Sequence, residues 1–392
     1  MFLDKRDEQG QLLGFSISPT AYSISDICLT HIKKNKDLMN LLYSIFPNNL
    51  IDLYLRKLFF ELSFKTACQI VLNKKNIYSD FPYLDLVKKN NKFNKYEFTK
   101  VKKKRNFKTF FRDYLIYNLD KFIWINDMVL NLYFRIFKKK EKIKKTKIAV
   151  NFVEGISKDK RNDFFWHDKD VFKDEVVTYV ESNDRVTKFY NKKKDLNRIL
   201  NSEKIDQLTL NNPLYFQTNK KIKSIKNKII KIKFDKADYF LIQHIKVMLT
   251  KIQFWYFFFK ENNIKIHINS EESGQANIVR QIALKLFDGC SIGKLKSYPT
   301  NIKEDYLGYF PNDICFAWGK ESINRLKDTN NCIKHYVVAG DPYPEIQITK
   351  RKDFENKIKK LKNNGKKYFI MILDSTYSYN KDLYWHFIYH EK

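Results

Sequence analysis

Cysteine is scarce in this chain of 392 residues. The five cysteines lie far apart and no two of them form a C-x-x-C pair: Cys28, Cys68, Cys290, Cys315 and Cys332. A disulfide framework needs an even set of cysteines, and a structural zinc site needs closely spaced ligand pairs. The sequence therefore excludes a disulfide-stapled scaffold and disfavours structural zinc.

Glycine and proline are also rare, with 10 and 8 residues, whereas Lys, Asn, Ile, Phe and Tyr are abundant. An AT-rich coding sequence produces this bias without any selection for binding. Hydrophobic residues still make up 43% of the chain, which excludes the low-hydrophobicity composition of disordered proteins. The length predicts about two or three folded domains.

Acidic residues are outnumbered, 44 against 74 Lys and Arg, which gives a formal net charge of +30. This charge favours anionic partners such as nucleic acid, anionic lipid or phosphorylated substrates. Lysine recurs through nearly every segment instead of one groove or arm, which disfavours nucleic acid. We expect a phosphorylated small-molecule ligand and an anionic membrane face instead.

Long hydrophobic runs are missing as well. The most apolar stretch, residues 240–259, is interrupted by Lys246 and Lys251, and each lysine near a bilayer centre costs about 2.5–3.5 kcal/mol. This stretch predicts a buried or interfacial helix. The charged N-terminus is unlike a signal peptide, so we expect a cytoplasmic protein. The basic, aromatic-rich helix predicted over residues 110–137 offers a peripheral contact with the inner membrane, or is an ordinary amphipathic helix.

Two patterns follow each other along the chain. Residues 1–145 show helical periodicity with almost no strand signals, and we assign them to a helical N-terminal region. Residues 146–345 alternate short apolar strands with helices, which is typical of a parallel sheet with crossover helices. The strands are predicted over residues 147–153, 175–180, 264–268, 314–318 and 336–340. The helices are predicted over residues 239–260, 276–287 and 321–327.

Polar loops follow four of these strands. They carry Glu154, Gly155, Arg161 and Asp163, then Glu271 and Glu272, then Gly319, and then Gly340 and Asp341. A glycine directly after a strand permits a sharp turn and a close approach of a ligand or helix. Because ligands of open parallel sheets bind beyond the carboxyl ends of the strands, these loops indicate a nucleotide-type cleft.

The last segment, residues 346–392, is predicted to form a linker helix and the start of a second α/β unit. Its predicted strand, residues 368–373, ends in a polar turn at Asp374 and Ser375. A parallel sheet domain needs on the order of 100 residues. We therefore expect the second domain to be incomplete, or to be supplied as a separately encoded C-terminal half.

Three stretches follow one another along the α/β part. They are Ile148-Ala-Val-Asn-Phe-Val-Glu-Gly with Lys160-Arg-Asn-Asp-Phe-Phe-Trp, then Gly289-Cys-Ser-Ile-Gly with Lys296-Ser297, then Ile314-Cys-Phe-Ala-Trp-Gly with Val337-Val-Ala-Gly-Asp-Pro. Over residues 147–376 the chain resembles GT-B-like glycosyltransferases of bacterial capsule and lipopolysaccharide biosynthesis. It departs from them at Asp288, where the family pattern predicts glycine, and in its short second half.

The resemblance implies two Rossmann-like domains, a nucleotide sugar as donor, a glycan or glycolipid as acceptor, and no cofactor or bound metal. The candidate bases for the acceptor hydroxyl are Glu154, Asp163 and Glu272. The candidate substrate-binding residues are Gly155, Arg161, Ser297, Gly319, Gly340, Asp341, Asp374 and Ser375. The alternative is a non-catalytic carbohydrate- or nucleotide-binding protein, and a nucleic-acid-binding protein is the third hypothesis.

Structural roles compete with each of these assignments. Glu154 and Asp163 also suit helix starts or ion pairs with Arg161, and Glu272 suits capping against a helix dipole. Trp318 and Gly319 also suit a structural role, in the core and at a point where a helix packs closely on the strand. The Asp168-Lys-Asp170 pattern and the pair His386 and His390 match metal-binding spacings that arise readily by chance.

Overall fold

The computed structural model describes residues 13–72, 75–101, 145–152, 175–180, 206–208, 210, 212–232, 236–269, 274–295, 308–340, 355–356 and 359. Its N-terminal part contains the helices α1 (Leu13–Lys33), α2 (Lys36–Tyr43), α3 (Asn48–Val71) and α4 (Leu84–Lys88). Helix α3 has buried residues on nearly all of its sides, and it lies in the interior with other helices around it. The Ser25 hydroxyl of α1 donates to the Arg56 carbonyl of α3 at 2.9 Å.

Two short strands also lie in this part, β1 (Asn76–Ser79) and β2 (Glu97–Lys100), paired in parallel. The helical periodicity did not predict them, because each is only 4 residues long. Tyr78 on β1 is fixed by the Gln69 side chain of α3, whose Oε1 accepts from the Tyr78 amide at 2.9 Å. The small sheet is thus tied to α3 by side-chain hydrogen bonds as well as by packing.

The remaining strands form a seven-stranded, wholly parallel sheet and a separate pair. In chain order they are β3 (Lys147–Phe152), β4 (Val176–Val180), β5 (Asp206–Leu208), β6 (Ile264–Asn269), β7 (Cys290–Lys294), β8 (Tyr309–Phe310), β9 (Ile314–Ala317), β10 (Asn330–Asn331) and β11 (His335–Val338). β8 and β10 form the separate pair. The predicted mixed α/β fold with a parallel sheet is confirmed.

Four longer helices accompany the sheet: α5 (Lys220–Ile229), α6 (Lys236–Glu261), α7 (Gln275–Lys285) and α8 (Lys320–Lys327). The apolar stretch at residues 240–259 lies within α6, and Ile245, Leu249 and Phe258 are fully buried there, as predicted. Among the described residues, no helix has both the length and the apolar character that crossing a bilayer requires.

The strand order is β5-β4-β3-β6-β7-β9-β11. The chain starts in the middle at β3, proceeds outward to β5, and then returns to place β6 on the other side of β3. This reversal is the topological switch point of a Rossmann-type sheet, and the order matches the 3-2-1-4-5-6 pattern with one further strand. The sequence predicted five of these strands but not their order.

One face of the sheet carries polar residues near the switch point. The register places Ala149 and Asn151 of β3 beside His267 and Asn269 of β6, so these four residues share a face. Helix α6 covers this face, since the rings of Tyr179 and Phe258 lie 5.1 Å apart, centroid to centroid. The opposite face is mostly aliphatic, but the buried Thr178 and Lys294 share it. Its aliphatic residues are Ile148, Val150, Val176, Ile266, Ile268 and Ile292.

The N-terminal helices and the sheet share one hydrophobic core. The ring of Phe60 on α3 lies 5.7 Å from that of Tyr309 on β8. The Tyr83 hydroxyl donates to Asp238 of α6 at 3.0 Å. Each fully buried Phe, Leu or Ile side chain stabilises the fold by about 1.5–3 kcal/mol relative to an exposed one. The helical region therefore packs on the α/β part and holds one side of it in place.

Candidate functional site

The carboxyl ends of β3 and β6 lie side by side where the strand order reverses. In open parallel sheets, ligands bind in the crevice beyond this point, because the two following loops diverge to opposite faces. The described backbone ends at Phe152 after β3 and resumes at Gly274 after β6. The candidate site is therefore built here from the strand ends and from the first turn of α7.

Three buried asparagines connect the strand ends to α7. The Asn151 amide nitrogen donates to the Asn269 side-chain oxygen at 3.4 Å, and the Asn269 amide nitrogen donates to the Asn277 side-chain oxygen at 2.6 Å. All three residues are at most 2% exposed. Burying amides is costly unless they are hydrogen-bonded, and this chain of bonds reduces that cost. It fixes the first turn of α7 against the switch point.

Tyr179 and His267 form a polar pair on the same face of the sheet as the asparagines. The Tyr179 hydroxyl lies 2.7 Å from His267 Nε2, and both side chains are buried. Burial lowers the pKa of His267 to about 3, because the charged imidazolium would lose its hydration. A neutral imidazole in this place can exchange a hydrogen bond with the phenol at physiological pH.

Arg280 brings a cation to the same region. It lies one turn after Asn277 on α7, is 0% exposed, and places its guanidinium carbon 5.4 Å from the centre of the Trp255 ring. Burial lowers the pKa of Arg280, and Tyr179 opposes that shift. A guanidinium in a low-dielectric interior interacts strongly with nearby anionic groups and dipoles.

Glu61 of α3 reaches the start of α7 from the other side. Its carboxylate accepts a hydrogen bond from the side-chain amide nitrogen of Gln275 at 2.6 Å and lies 3.6 Å from the Lys57 ammonium. Lys57 is 0% exposed, whereas the Glu61 side chain is 32% exposed. Burial raises the pKa of the Glu61 carboxyl, and Lys57 opposes the shift. The result is a partly solvent-accessible carboxylate beside the helix N-terminus that borders the switch point.

Two predicted site residues, Gly319 and Gly340, lie in the described part of the chain. They follow the neighbouring strands β9 and β11, and the Ala339 amide donates to the Ala317 carbonyl at 2.8 Å. With strands about 4.8 Å apart, the end of β11 is about 19 Å from that of β3. Both glycines are at the predicted edge of the sheet, but away from the asparagines.

The environments of the two glycines differ. Gly340 has φ +74°, a left-handed conformation that side chains rarely adopt. Gly319 is extended, with φ −171°, and no atom of the described residues lies within 4 Å of a Cβ built there. The expectation that Gly319 is needed for close strand–helix packing is therefore wrong. Trp318 does belong to the core, and its indole donates to the Leu295 carbonyl at 3.0 Å.

The other predicted site residues lie outside the described residues. These are Glu154, Gly155, Arg161, Asp163, Glu272, Ser297, Asp341, Asp374 and Ser375, together with the weaker metal candidates Asp168, Asp170, His386 and His390. Within the described ranges, no group of three or more His, Cys, Asp or Glu side chains is arranged to hold a metal ion.

Asp288 is the residue at which the resemblance described above predicts a glycine. Its φ is +53°, the conformation that glycine adopts most readily. The next residue, Gly289, would place a Cβ 2.4 Å from the Leu284 side chain. The turn from α7 into β7 therefore requires a left-handed residue at 288, and Asp tolerates that conformation better than most residues.

Sequence reasoning missed Glu61 and the roles of Asn151, Asn277 and Arg280. A signal existed for the first strand, because Asn151 is a polar residue inside the apolar run of β3. Asn269 lies one residue beyond the strand predicted over residues 264–268, although it is the last residue of β6. For Glu61 and Arg280 the helical periodicity carried no signal, since charged residues are common on helices and their burial depends on tertiary contacts.

The chain was compared with models of protein families, with curated proteins and with solved structures. No family model, no curated protein and no solved structure matches it.

Proposed function

We propose that the chain binds a nucleotide-activated sugar at the switch point of its sheet. We further propose that it transfers the sugar to a glycan or glycolipid acceptor, as a GT-B-like glycosyltransferase of surface polysaccharide or lipopolysaccharide biosynthesis. The observation that carries the proposal is the set of buried polar side chains at the strand reversal, Asn151, Asn269 and Asn277. Parallel sheets covered on both faces are filled mainly by aliphatic residues, as most of the opposite face is.

The chemistry of these groups suits such a ligand. Amide side chains donate and accept hydrogen bonds in fixed directions, which is how proteins recognise sugar hydroxyls and bases. The first turn of α7 presents backbone N–H groups, and the helix dipole there favours a phosphate. Arg280 adds positive charge one turn along. The charges of a nucleoside diphosphate and the hydrogen-bonding groups of its sugar thus have counterparts in one place.

Transfer also needs a base for the acceptor. Glu61 is a candidate base beside Glu154, Asp163 and Glu272, because its carboxyl is partly exposed and burial raises its pKa. The acceptor hydroxyl loses its proton to the carboxylate as its oxygen bonds to the anomeric carbon. The bond between that carbon and the diphosphate oxygen breaks, and the nucleoside diphosphate leaves with the electron pair.

Isothermal titration of the full chain against a panel of nucleoside diphosphates and nucleotide sugars tests the proposal. We expect one member to bind, and we expect Asn269→Ala to weaken its binding at least tenfold. Asn94→Ala removes an exposed asparagine of the N-terminal part and is the matched control. The proposal is overturned if the wild-type chain binds no member of the panel.

A binding protein without turnover is the second candidate. It is favoured by the predominance of amides among the described side chains at the switch point, because amides neither accept nor release protons at neutral pH. Release of nucleoside diphosphate in the presence of candidate acceptors distinguishes the two. Binding without release, unchanged in Glu61→Gln, supports the non-catalytic protein.

A further inference from the structure

Helix α5 presents a lysine-rich surface that the candidate site does not use. Along its exposed side lie Lys220, Lys221, Lys223, Lys228 and Lys231, which we call the α5 lysine surface. Residues 207–234 contain seven lysines and no Asp or Glu. None of the five surface lysines forms an ion pair within the described part of the chain. The positive charge of these five lysines is therefore not balanced by ion pairs within this surface.

The packing of α5 explains why the five lysines of this surface lie on the solvent side. Ile222, Ile225 and Ile229 are fully or almost fully buried and face the core, so the other half of the helix faces solvent. At about 100° per residue, three of the five lysines fall opposite the isoleucines and the other two flank that arc. Over residues 220–231 they extend about 17 Å along the axis.

Hydrogen bonds hold this helix in place. Asn219 caps it, and its side-chain oxygen accepts from the amides of Lys221 and Ile222 at 3.0 and 3.3 Å. The buried Lys226 ammonium donates to the Thr250 hydroxyl of α6 at 2.9 Å. The charged surface is thus a fixed platform, and little backbone ordering is required when it meets a partner.

Two shallow grooves flank the platform. One, of about 410 Å³, is lined by Lys220, Lys223, Ser224, Asn227, Lys228 and Lys231. The other, of about 670 Å³, lies between α5 and α2 and shares Lys228 and Lys231 with the first. Asp37, which lines the second groove, reduces the positive charge there. The lysines and the polar side chains that line these grooves suit phosphate-bearing groups that bind around Lys228 and Lys231.

We propose that the α5 lysine surface docks the protein on an anionic lipid membrane. Charge complementarity supports this partner, since phosphate headgroups attract a row of lysines through their negative surface potential. Ile230, the C-cap residue of α5, adds an apolar contact because it is 65% exposed and lies directly before Lys231. Lysines bordering an exposed aliphatic side chain are typical of interfacial membrane contacts.

Nucleic acid fits this surface less well. Residues 207–234 contain no arginine, the residue that binds phosphate bidentately and stacks on bases. The exposed half of α5 also contains no aromatic side chain on which a base could stack. The inference does not depend on the glycosyltransferase proposal, because it uses neither the switch point nor any sugar chemistry.

The experiment is vesicle co-sedimentation of the full chain. The probes are phosphatidylcholine vesicles with and without about one third phosphatidylglycerol, at low and at near-physiological salt. We expect binding to the anionic vesicles only, weakened by salt. The variant K220Q/K223Q/K228Q/K231Q should lose on the order of several-hundred-fold in affinity, since each lysine near an anionic surface contributes about fivefold.

The matched control is K88Q/K89Q/K92Q/K95Q, which removes the same charge from exposed lysines elsewhere in the chain. We expect it to bind like the wild type. Equal losses in the two variants would show that net charge alone drives binding and would overturn the proposal. A single-stranded and a duplex oligonucleotide are tested in the same way. If either binds more tightly than the vesicles, and only the α5 variant loses that binding, the surface is assigned to nucleic acid instead.

Folding of the variants is checked in the same experiment. Thermal unfolding of each variant shows whether the fourfold substitution leaves the fold intact. The double variants K220Q/K223Q and K228Q/K231Q keep the comparison valid if the fourfold variant folds poorly. Each of them should lose on the order of 25-fold in affinity for the anionic vesicles.

Discussion

The Tyr179 hydroxyl and His267 Nε2 lie 2.7 Å apart, although their strands β4 and β6 are separated by β3. The two side chains meet across β3 because Ala149 is the residue of β3 that pairs with His267, and its methyl group leaves space above the strand. The rings are stacked with centroids 5.9 Å apart. This contact ties the two sides of the strand reversal together beneath the asparagines.

The first prediction concerns pH. The pKa of His267 is lowered to about 3 in the folded chain, whereas an unfolded histidine titrates near its ordinary value of 6.5. Between these values the unfolded state binds one more proton than the folded state, so stability falls as the pH falls from about 6.5 toward 3. The free energy of unfolding should lose about 1.4 kcal/mol per pH unit from this residue.

Chemical denaturation across this pH range, for the wild type and for His267→Gln, measures the effect. Glutamine does not titrate and can still bond the Tyr179 hydroxyl. The pH dependence of the difference between the two proteins should have the slope given above. If the free energies of unfolding of the two proteins change in parallel with pH, His267 is not the source of the pH dependence.

The second prediction concerns the asparagine chain. Asn269→Ala removes one hydrogen bond from Asn151 and one to Asn277, and it leaves a small cavity. We expect a loss of about 2–4 kcal/mol in the free energy of unfolding. The control Asn94→Ala, at an exposed position, should change it by less than about 0.5 kcal/mol. Urea denaturation of both variants provides the measurement, and similar small changes in both would contradict the buried role of Asn269.

The third prediction is an asymmetry between Lys57 and Glu61. Glu61→Ala removes the carboxylate beside a fully buried ammonium, and we expect it to lower the free energy of unfolding by about 3 kcal/mol. Lys57→Met leaves a carboxylate that is 32% exposed and can be solvated, and it fills the same space with an apolar chain, so its cost should be about 1 kcal/mol. Thermal unfolding of both variants tests the order. A larger cost for Lys57→Met would mean that water does not reach Glu61.

The fourth prediction compares two glycines that end neighbouring strands. Gly340→Ala places a side chain on a residue with φ +74°, and we expect a loss of about 1 kcal/mol. At Gly319 the backbone is extended, and no atom of the described residues lies within 4 Å of an added Cβ. Gly319→Ala should therefore change the free energy of unfolding by less than about 0.5 kcal/mol. Denaturation midpoints of the two variants provide the comparison. If Gly319→Ala proves the more damaging, the space around residue 319 is filled in the folded chain.

The parallel α/β fold could be predicted from the sequence because its strands are short apolar runs separated by turn residues and helices. The strands β3, β4, β6, β9 and β11 and the helices α6, α7 and α8 lie close to the predicted positions. The strands β5, β7, β8 and β10 were not predicted. β5, β8 and β10 are only 2 or 3 residues long, and β7 contains Gly293 and Ser291, which weaken the apolar pattern.

The candidate site could be predicted only in part. Glycine after a strand pointed to Gly319 and Gly340, and the structure places both at the expected edge of the sheet. The asparagine chain, the Tyr179–His267 pair and Glu61 were not predicted as a group. Their members are distant in sequence: Asn151 and Asn269 are 118 positions apart, and Glu61 and Gln275 are 214 positions apart.

The sequence by itself determined the local elements, because hydrophobic periodicity and turn residues act over a few neighbouring positions. It also determined that the protein is basic, and it limited α6 to a buried or an interfacial helix. The tertiary structure alone decided the order of the strands, and with it which polar residues meet at the reversal. That order depends on the packing of distant segments into one core, where burial makes an asparagine, a histidine or a glutamate behave differently from the same residue at the surface.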